Sequence, residues 1–465
     1  MSELPGVRRL ATVTIPAPDL RPGAFLRLAA GEARGFWARG DRWVAHRGVL
    51  ADLRPEADDA TDRYQEVARA ARALVRDPVL PSGAARAARV RFYGGFSFRR
   101  DDTGDGPWTA FPAARFHLPA FELEGDRDGD AWLRARALTS PEGASDTLKR
   151  LRRAAEGLRA ELAAYPETVQ GDVGRRPTVR GVGRATDRPT WEEAVRTSLA
   201  AIRRGEVSKV VLARTLDVRL QEPVDPVGVA SELWEANRGS YLFLFEPEPG
   251  RAVLGAAPET VATLRDGVFH ATAVAGSIRR GNGPREQAEL AAKLLASEKD
   301  RTEQRIALDD MVARLETVAH RIRTDPQPHV LTLSRIQHLE TEIRASVPAG
   351  TDILDLLRLL HPTPAVCGLP RDEALRFLAA EEPFQRGWYA GPVGWFDGDG
   401  NGVFAPALRC AVTSDGVWRL FAGAGIVEGS DPGLEWEETA MKLTPVLEAL
   451  RANGVVLESA VPSAT

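Results

Sequence analysis

AVLGAAPETVATLRDGVFHATAVAG, residues 252–276, is the stretch whose reading decides the fold. Short apolar runs are punctuated by Gly255, Pro258 and the pair Asp266-Gly267. Asp-Gly between two apolar runs is a tight hairpin turn, so the stretch reads as successive antiparallel strands. Outward from it the pattern repeats. YLFLFEP (241–247), RIQHLETEIRA (335–345), GWYAGPVGWFDGDGNGVFAPALRCAV (387–412) and WRLFAGAGIV (418–427) read as further strands, with a Gly-Asp-Gly-Asn-Gly turn inside the third. Helices stand apart from these strands. Thr190 and Glu193 form a capping box before the stripe Val195, Leu199, Ile202, which ends at Gly205. A long helical stretch runs from about 284 to 323, a short helix ends at Leu360, and a final helix opens near SDPGLEWEETAMKL (430–443). Hairpin-linked strands with separate helices give an α+β class with mainly antiparallel sheets.

Residues 1–185 form a less patterned N-terminal part of the fold. GFWARGDRWVAHRG (35–48) and RVRFYGGFSF (89–98) read as strands and hairpins, and 61–77 and 147–165 as amphipathic helices. The Gly-, Arg- and Pro-rich stretch 171–189 reads as a loop or linker, 186–455 as the region carrying the chemistry, and 456–465 as a tail.

Composition narrows the function classes. The chain has 465 residues, 43% hydrophobic and 27% charged, with a net charge of −4. That balance gives no basic footprint for nucleic acid and no polybasic patch for a membrane surface. No stretch approaches the roughly 18 apolar residues of a membrane span, and MSELPGVRR at the N-terminus lacks the apolar segment of a signal peptide. Cys367 and Cys410 are the only cysteines, so neither a disulfide framework nor a cysteine metal site is expected, and a reducing cytoplasm fits.

Of 61 basic residues only five are lysine: Lys149, Lys209, Lys293, Lys299 and Lys442. Lysine can lose its proton when desolvated, whereas a guanidinium cannot. Lys209 opens the apolar run of SKVVLART (208–215), sharing one strand face with Val211 and Ala213 while Val210, Leu212 and Arg214 take the other. It is either an edge lysine reaching water along its stem or a candidate base.

Three other features could carry chemistry. Glu259 lies between two short strand segments, as a turn residue facing water or as a buried acid. Glu435, Glu438 and Lys442 fall at i, i+3 and i+7 on one helix face, and Glu298, Asp300 and Glu303 cluster in SEKDRTEQ (297–304). Carboxylates from two helices suit a small hard cation such as Mg²⁺, although such faces are also ordinary solvated ladders. Gly423 and Gly425 either free backbone N–H groups for a carboxylate or mark a bulge, and Arg409 is a cation inside an apolar strand.

In order along the chain, SKVVLAR, LGAAPE, AVAGSIRRG, LLASEKDRTEQ, HPTPAVCG, EPFQRGWYAGPVGW, LRCA, LFAGAGIV and EWEETAMKL resemble the chorismate-utilising enzymes, most of all the isochorismate synthases of menaquinone and siderophore pathways. The resemblance spans about 190 to 450. It implies the fold of that family, large antiparallel sheets packed face to face with helices outside. It also implies that chorismate becomes isochorismate by Mg²⁺-dependent water addition at C2 with loss of the C4 hydroxyl. Lys209 matches the base that activates water and Glu259 the acid that protonates the departing hydroxyl. Glu303 and Glu438 match the metal ligands, with Glu435 a ligand directly or through water, and Glu298 becomes structural. Arg409, Lys442 and the backbone of Gly423 and Gly425 match the groups that hold the enolpyruvyl carboxylate, and Ser277 and His338 line the site.

Departures select the branch. Anthranilate synthases carry glutamine where Lys209 stands and take ammonia from an amidotransferase subunit, so no such partner is expected. Aminodeoxychorismate synthases carry a covalent lysine where this chain has Val274-Ala275-Gly276-Ser277. Salicylate synthases carry threonine at the position of Ala365, where alanine implies that the reaction stops at isochorismate. A monomer or homodimer working on a small molecule is the expected form.

Overall fold

The computed structural model describes residues 9–55, 62–81, 90–165 apart from 103 and 105, and 179–457 apart from 334. The opening stretch folds as read. Arg251–Ala257, Ala262–Arg265 and Val268–Arg279 are strands, and the last two close through Asp266 and Gly267, both left-handed with φ 51° and 78°. Two consecutive left-handed residues are the turn whose twist matches a right-twisted hairpin.

Two antiparallel sheets grow from the long strand Ala114–Gly125. One runs from its C-terminal half through Arg42–Leu53, Arg34–Arg39, Tyr241–Glu248, Arg251–Ala257, Cys410–Ser414, Val417–Ile426 and Lys209–Arg219. The other leaves its N-terminal half through Arg91–Phe96, Pro392–Asp397, Gly402–Pro406, Ala262–Arg265, Val268–Arg279 and Ile336–Ser346. Alternation along each strand makes four layers. Trp37, Phe243, Phe245 and Val253 of the first sheet meet Tyr93, Val393 and Trp395 of the second between the sheets. Phe36, Leu242, Leu244 and Leu254, one residue out of phase, pack outward on the helices Ala144–Ala164, Pro226–Ala236 and Pro432–Ala452. Phe92, Phe269, Ile343 and Phe404 do the same on the far side, against Arg63–Val75, Glu298–Leu315 and Ile353–Leu360. Face-to-face sheets with helices outside are what the resemblance implied.

Several sequence expectations change in detail. The stretch 284–323 is two helices, Pro284–Ala296 and Glu298–Leu315, followed by the strand His320–Thr324. Ser297 separates the helices and caps the second, its hydroxyl accepting from the Asp300 N–H at 3.3 Å. The cap of Arg188–Arg203 is Asp187, whose carboxylate accepts the Thr190 N–H at 2.8 Å, so Thr190 sits inside the first turn. Within the expected linker, Val179–Ala185 is a strand on the edge of Lys209–Arg219, while 171–178 lies outside the described residues. Val456 and Leu457, expected in the tail, belong to a short strand, and the tail from 458 and the N-terminus through residue 8 lie outside the described residues. The parts on either side of residue 185 share both sheets, since Trp37 pairs with Phe243 and Tyr93 with Trp395. Among the described residues no helix is long and apolar enough to cross a membrane.

Candidate active site

The strand Lys209–Arg219 is held on both edges where it begins. Leu369 pairs with Lys209 on one side, and Gly425 and Ile426 pair with Val211 and Val210 on the other. Odd positions face inward and even positions face the helices, where Arg214 lies 3.8 Å over the ring of Trp436. Lys209 is 0% exposed. The edge reading is therefore wrong: this lysine does not reach water. Its Nζ lies 3.0 Å from Oε1 of Glu303, an ion pair whose angle does not meet hydrogen-bond directionality, so the ammonium has no oriented acceptor.

Gly425 makes that meeting possible. A Cβ there would stand 2.2 Å from Glu303 Oε1 and 3.2 Å from Lys209 Cε, so only glycine leaves both side chains their places. Gly425 and Gly423 lie in the regular ladder with Val211 and Ala213, which excludes the bulge reading. Gly423 supplies its carbonyl, not an N–H, to a site side chain: Lys442 Nζ donates to it at 2.9 Å.

Glu259 follows the strand Arg251–Ala257 and is 6% exposed, so it is not a surface turn residue. Burial pushes its pKa up to about 7, against the opposing charges of Arg409, Lys209 and Lys442. A carboxyl there holds its proton close to neutrality.

Arg409 reaches the same cavity from a left-handed backbone (φ 48°), an uncommon conformation for a non-glycine residue that costs on the order of 1 kcal/mol. Its guanidinium donates to His338 Nε2 at 2.9 Å. His338 is kept neutral, its pKa lowered to about 3 by burial and then by Arg409 and Lys442. With Nε2 accepting, the ring proton sits on Nδ1, which lies 3.1 Å from the Gly276 carbonyl and 2.9 Å from Ser277 Oγ. Gly276 (φ 73°) is the extra residue of a bulge between Ala275 and Ser277, and the bulge brings Ser277 opposite His338.

The helix Pro432–Ala452 sends in the last acids. Glu438 pairs with Lys442 at 2.5 Å, and burial notwithstanding, the lysine holds its pKa below the usual range. Glu435 is 2% exposed, pairs with Lys299 at 2.7 Å, and is raised to about 7 by burial and the charge of Glu438. These are not solvated ladder residues. Glu298, by contrast, is exposed, and Asp300 packs against Gly276.

One cavity is lined by Val211, Glu259, Ser277, Glu303, His338, Ala365, Tyr389, Arg409, Gly423, Gly425, Glu438 and Lys442. Of the twelve site residues the sequence points to, Lys209 and Glu435 stand one layer behind the lining, Lys209 against the lining carboxylate of Glu303 and Glu435 against Lys299. For a hard divalent cation the donors have the right chemistry: all are carboxylate oxygens, and Glu435 and Glu438 repel each other in the absence of a shared positive charge. They are not yet gathered, since among the described residues no three acids, histidines or cysteines stand at metal-binding spacing. Each of the three carboxylates is instead held by its own lysine.

The sequence reading missed the pair Glu382 and Arg386. Arg386 is 1% exposed and donates to the carbonyls of Val366 (2.8 Å) and Val211 (2.6 Å), while Glu382 accepts the Ala213 N–H at 2.9 Å. Together they fasten the Ala365 loop to the lysine strand. Their i,i+4 spacing in EEPFQRG was the available signal, but it resembles any surface ion pair.

A family model described as chorismate binding enzyme matches residues 4–451. The salicylate biosynthesis isochorismate synthase of Pseudomonas aeruginosa is 36% identical over 392 residues, covering 82% of this chain and 77% of the relative. The isochorismate synthase MenF of Bacillus subtilis is 33% identical over 360 residues, covering 77% and 74%. The solved structure of MenF, the menaquinone-specific isochorismate synthase of Escherichia coli, superposes with a TM-score of 0.77 at 27% identity, covering 97% of this chain and 96% of that one.

Proposed function

The chain belongs to the chorismate binding enzymes, and from that premise we propose that it is an isochorismate synthase converting chorismate to isochorismate in the cavity above. The observation that supports the mechanism is a buried carboxyl, Glu259, lining the cavity with its pKa pushed up to about 7 by burial, and a buried lysine, Lys209, directly behind the lining where it meets Glu303 at 3.0 Å. In its neutral form Lys209 takes a proton from water as the oxygen attacks C2. The ring double bond shifts, the C4 hydroxyl leaves, and Glu259 gives that hydroxyl its proton, so one water is added and one is lost. Glu259 suits the donor role because burial keeps its proton on at a pH where an exposed glutamate has lost it.

Arg409 and Lys442 hold the enolpyruvyl carboxylate, Arg409 with its orientation fixed by His338. Ser277 and the backbone of Gly423 and Gly425 line the same space. Glu303 and Glu438, with Glu435 directly or through water, would hold a Mg²⁺ that anchors and neutralises the ring carboxylate. Ala365 leaves no hydroxyl near the ring to favour pyruvate elimination, so the product is isochorismate. We assign it to menaquinone or catecholate siderophore biosynthesis, in the cytoplasm and without an amidotransferase subunit.

The test is purified protein with chorismate and Mg²⁺, product identified by NMR. Isochorismate without stoichiometric pyruvate is expected, EDTA should abolish turnover, and added Mg²⁺ should restore it. Stoichiometric pyruvate, or full activity in EDTA, would overturn the corresponding part of the assignment.

A further inference from the structure

The three acids offered to the cation are each already paired: Glu303 with Lys209 at 3.0 Å, Glu435 with Lys299 at 2.7 Å and Glu438 with Lys442 at 2.5 Å. Three carboxylates and three ammoniums leave no net charge. A divalent cation entering such an ensemble meets three positive neighbours, and at least one must withdraw before its carboxylate can turn to the metal.

The three lysines are not equally free to go. Lys209 is 0% exposed and walled in by the backbone of Gly425. Lys442 has two acceptors, Glu438 and the Gly423 carbonyl, and its side chain is 12% exposed. Lys299 has Glu435 alone, and its side chain is 36% exposed. It also lines a cleft of about 1170 Å³ on the outer face of the helix Glu298–Leu315. Glu298, Asp325 and Glu428 line that cleft, so an ammonium swinging out finds both water and carboxylates.

We propose that Lys299 is a resident counter-ion of the metal site, a positioning residue that holds Glu435 while the site is empty and swings into the cleft when the cation binds. The inference rests on the metal assignment above. It gives Lys299 a defined effect: by competing for Glu435 it weakens cation binding and keeps two buried carboxylates from repelling each other in the empty enzyme.

The experiment measures binding, not turnover. The full-length parent, Lys299→Met, Lys299→Gln and Lys299→Arg are titrated with Mg²⁺ by calorimetry and with Mn²⁺ by EPR, without substrate. A pair with one buried partner and one about a third exposed is worth a factor of a few, so the Met and Gln variants should bind about three- to tenfold tighter, while Arg, which keeps the charge, stays near the parent. The empty Met and Gln variants should also melt below the parent and gain more from the metal. Unchanged or weaker binding in both neutral variants would overturn the inference. Glu303→Gln and Glu438→Gln, titrated in parallel, separate the two claims: if they bind metal like the parent, the metal assignment itself fails, whatever Lys299 does.

Discussion

Gly425→Ala isolates how closely the site is built. Gly425 does not have a left-handed backbone, so alanine is conformationally acceptable, and in a strand the exchange by itself should shift stability by less than about 1 kcal/mol. The difficulty is local. The new Cβ would stand 2.2 Å from Glu303 Oε1 and 3.1 Å from its Cδ. An ordinary contact needs roughly 3.4 Å, so the carboxylate has to move by about 1 Å. A glutamate's far end can move that far without disturbing the core, and the protein should fold. The move takes Glu303 off Lys209 and away from the place where it would meet the cation. Displacing a reacting or anchoring group by about 1 Å typically removes on the order of 10²-fold in rate. We therefore expect kcat/KM for isochorismate formation to fall about 10²-fold, with weaker Mg²⁺ binding and a Tm within a few degrees of the parent. Gly239→Ala, where a Cβ meets nothing within 4 Å, is the control and should leave all three unchanged. Near-parental turnover by Gly425→Ala would refute the reasoning, as would a protein that fails to fold, which would make the glycine a requirement of the sheet and not of the site.

Lys209→Arg should lose 10²–10⁴-fold in kcat while chorismate binding survives, because charge is kept and proton transfer is not; a variant turning over near the parent rate would remove Lys209 as the base. For Glu259, raised from 4.5 to about 7, the proposed acid role makes the protonated form the active one, so kcat/KM should fall as pH rises through about 7. The same shift gives stability that is full below about 4.5 and lost as pH rises through about 7, so Glu259→Gln should melt above the parent at pH 8 with the difference vanishing toward pH 4.5; parallel melting curves across that range would contradict the buried-acid reading. Ala365→Thr should raise pyruvate release from chorismate, measured with lactate dehydrogenase, and an unchanged trace would show that this position does not set the product.

What the sequence made legible follows the reach of its signals. Strand alternation put Lys209, Val211 and Ala213 on one face, and helical spacing put Glu435, Glu438 and Lys442 on another; both are short-range periodicities and both hold. The two-sheet layering came from the resemblance, since no local pattern reveals that Ala114–Gly125 serves both sheets. Errors fell where one residue interrupts a regular pattern. Ser297 splits a helical stretch because its hydroxyl caps the next turn, and Asp187 outcompetes Thr190 as a cap because it precedes the helix-starting Arg188-Pro189. Burial was the largest gap. Nothing in GAAPET distinguishes a turn carboxylate in water from one held near pH 7, and nothing in EEPFQRG says that Glu382 and Arg386 grip the lysine strand from inside the core.

Four acids (Glu259, Glu303, Glu435, Glu438) meet four bases (Lys209, Lys299, Lys442, Arg409) around the cavity. Glu259 keeps its proton close to neutrality, so with Lys209 in the neutral form its proposed base role requires, three carboxylates face three cations and the empty site is close to neutral; in the proposed reaction a substrate with two carboxylates arriving with a divalent cation keeps it so. Arginine serves at the one position where orientation must not change: Arg409 is fixed by a left-handed backbone and by His338. The other three cations have to do what a guanidinium cannot. In the proposed mechanism Lys209 gives up its proton, and Lys299 and Lys442 exchange one oxygen partner for another, which a compact ammonium on a flexible stem does with little geometric penalty. An arginine-rich chain that keeps only five lysines, and sets three of them one each on the three candidate metal carboxylates, is using lysine where mobility of charge is the requirement. Replacing any of the three by arginine therefore tests more than charge, and a Lys442→Arg enzyme that kept both chorismate affinity and rate would show that fixed charge suffices at that position.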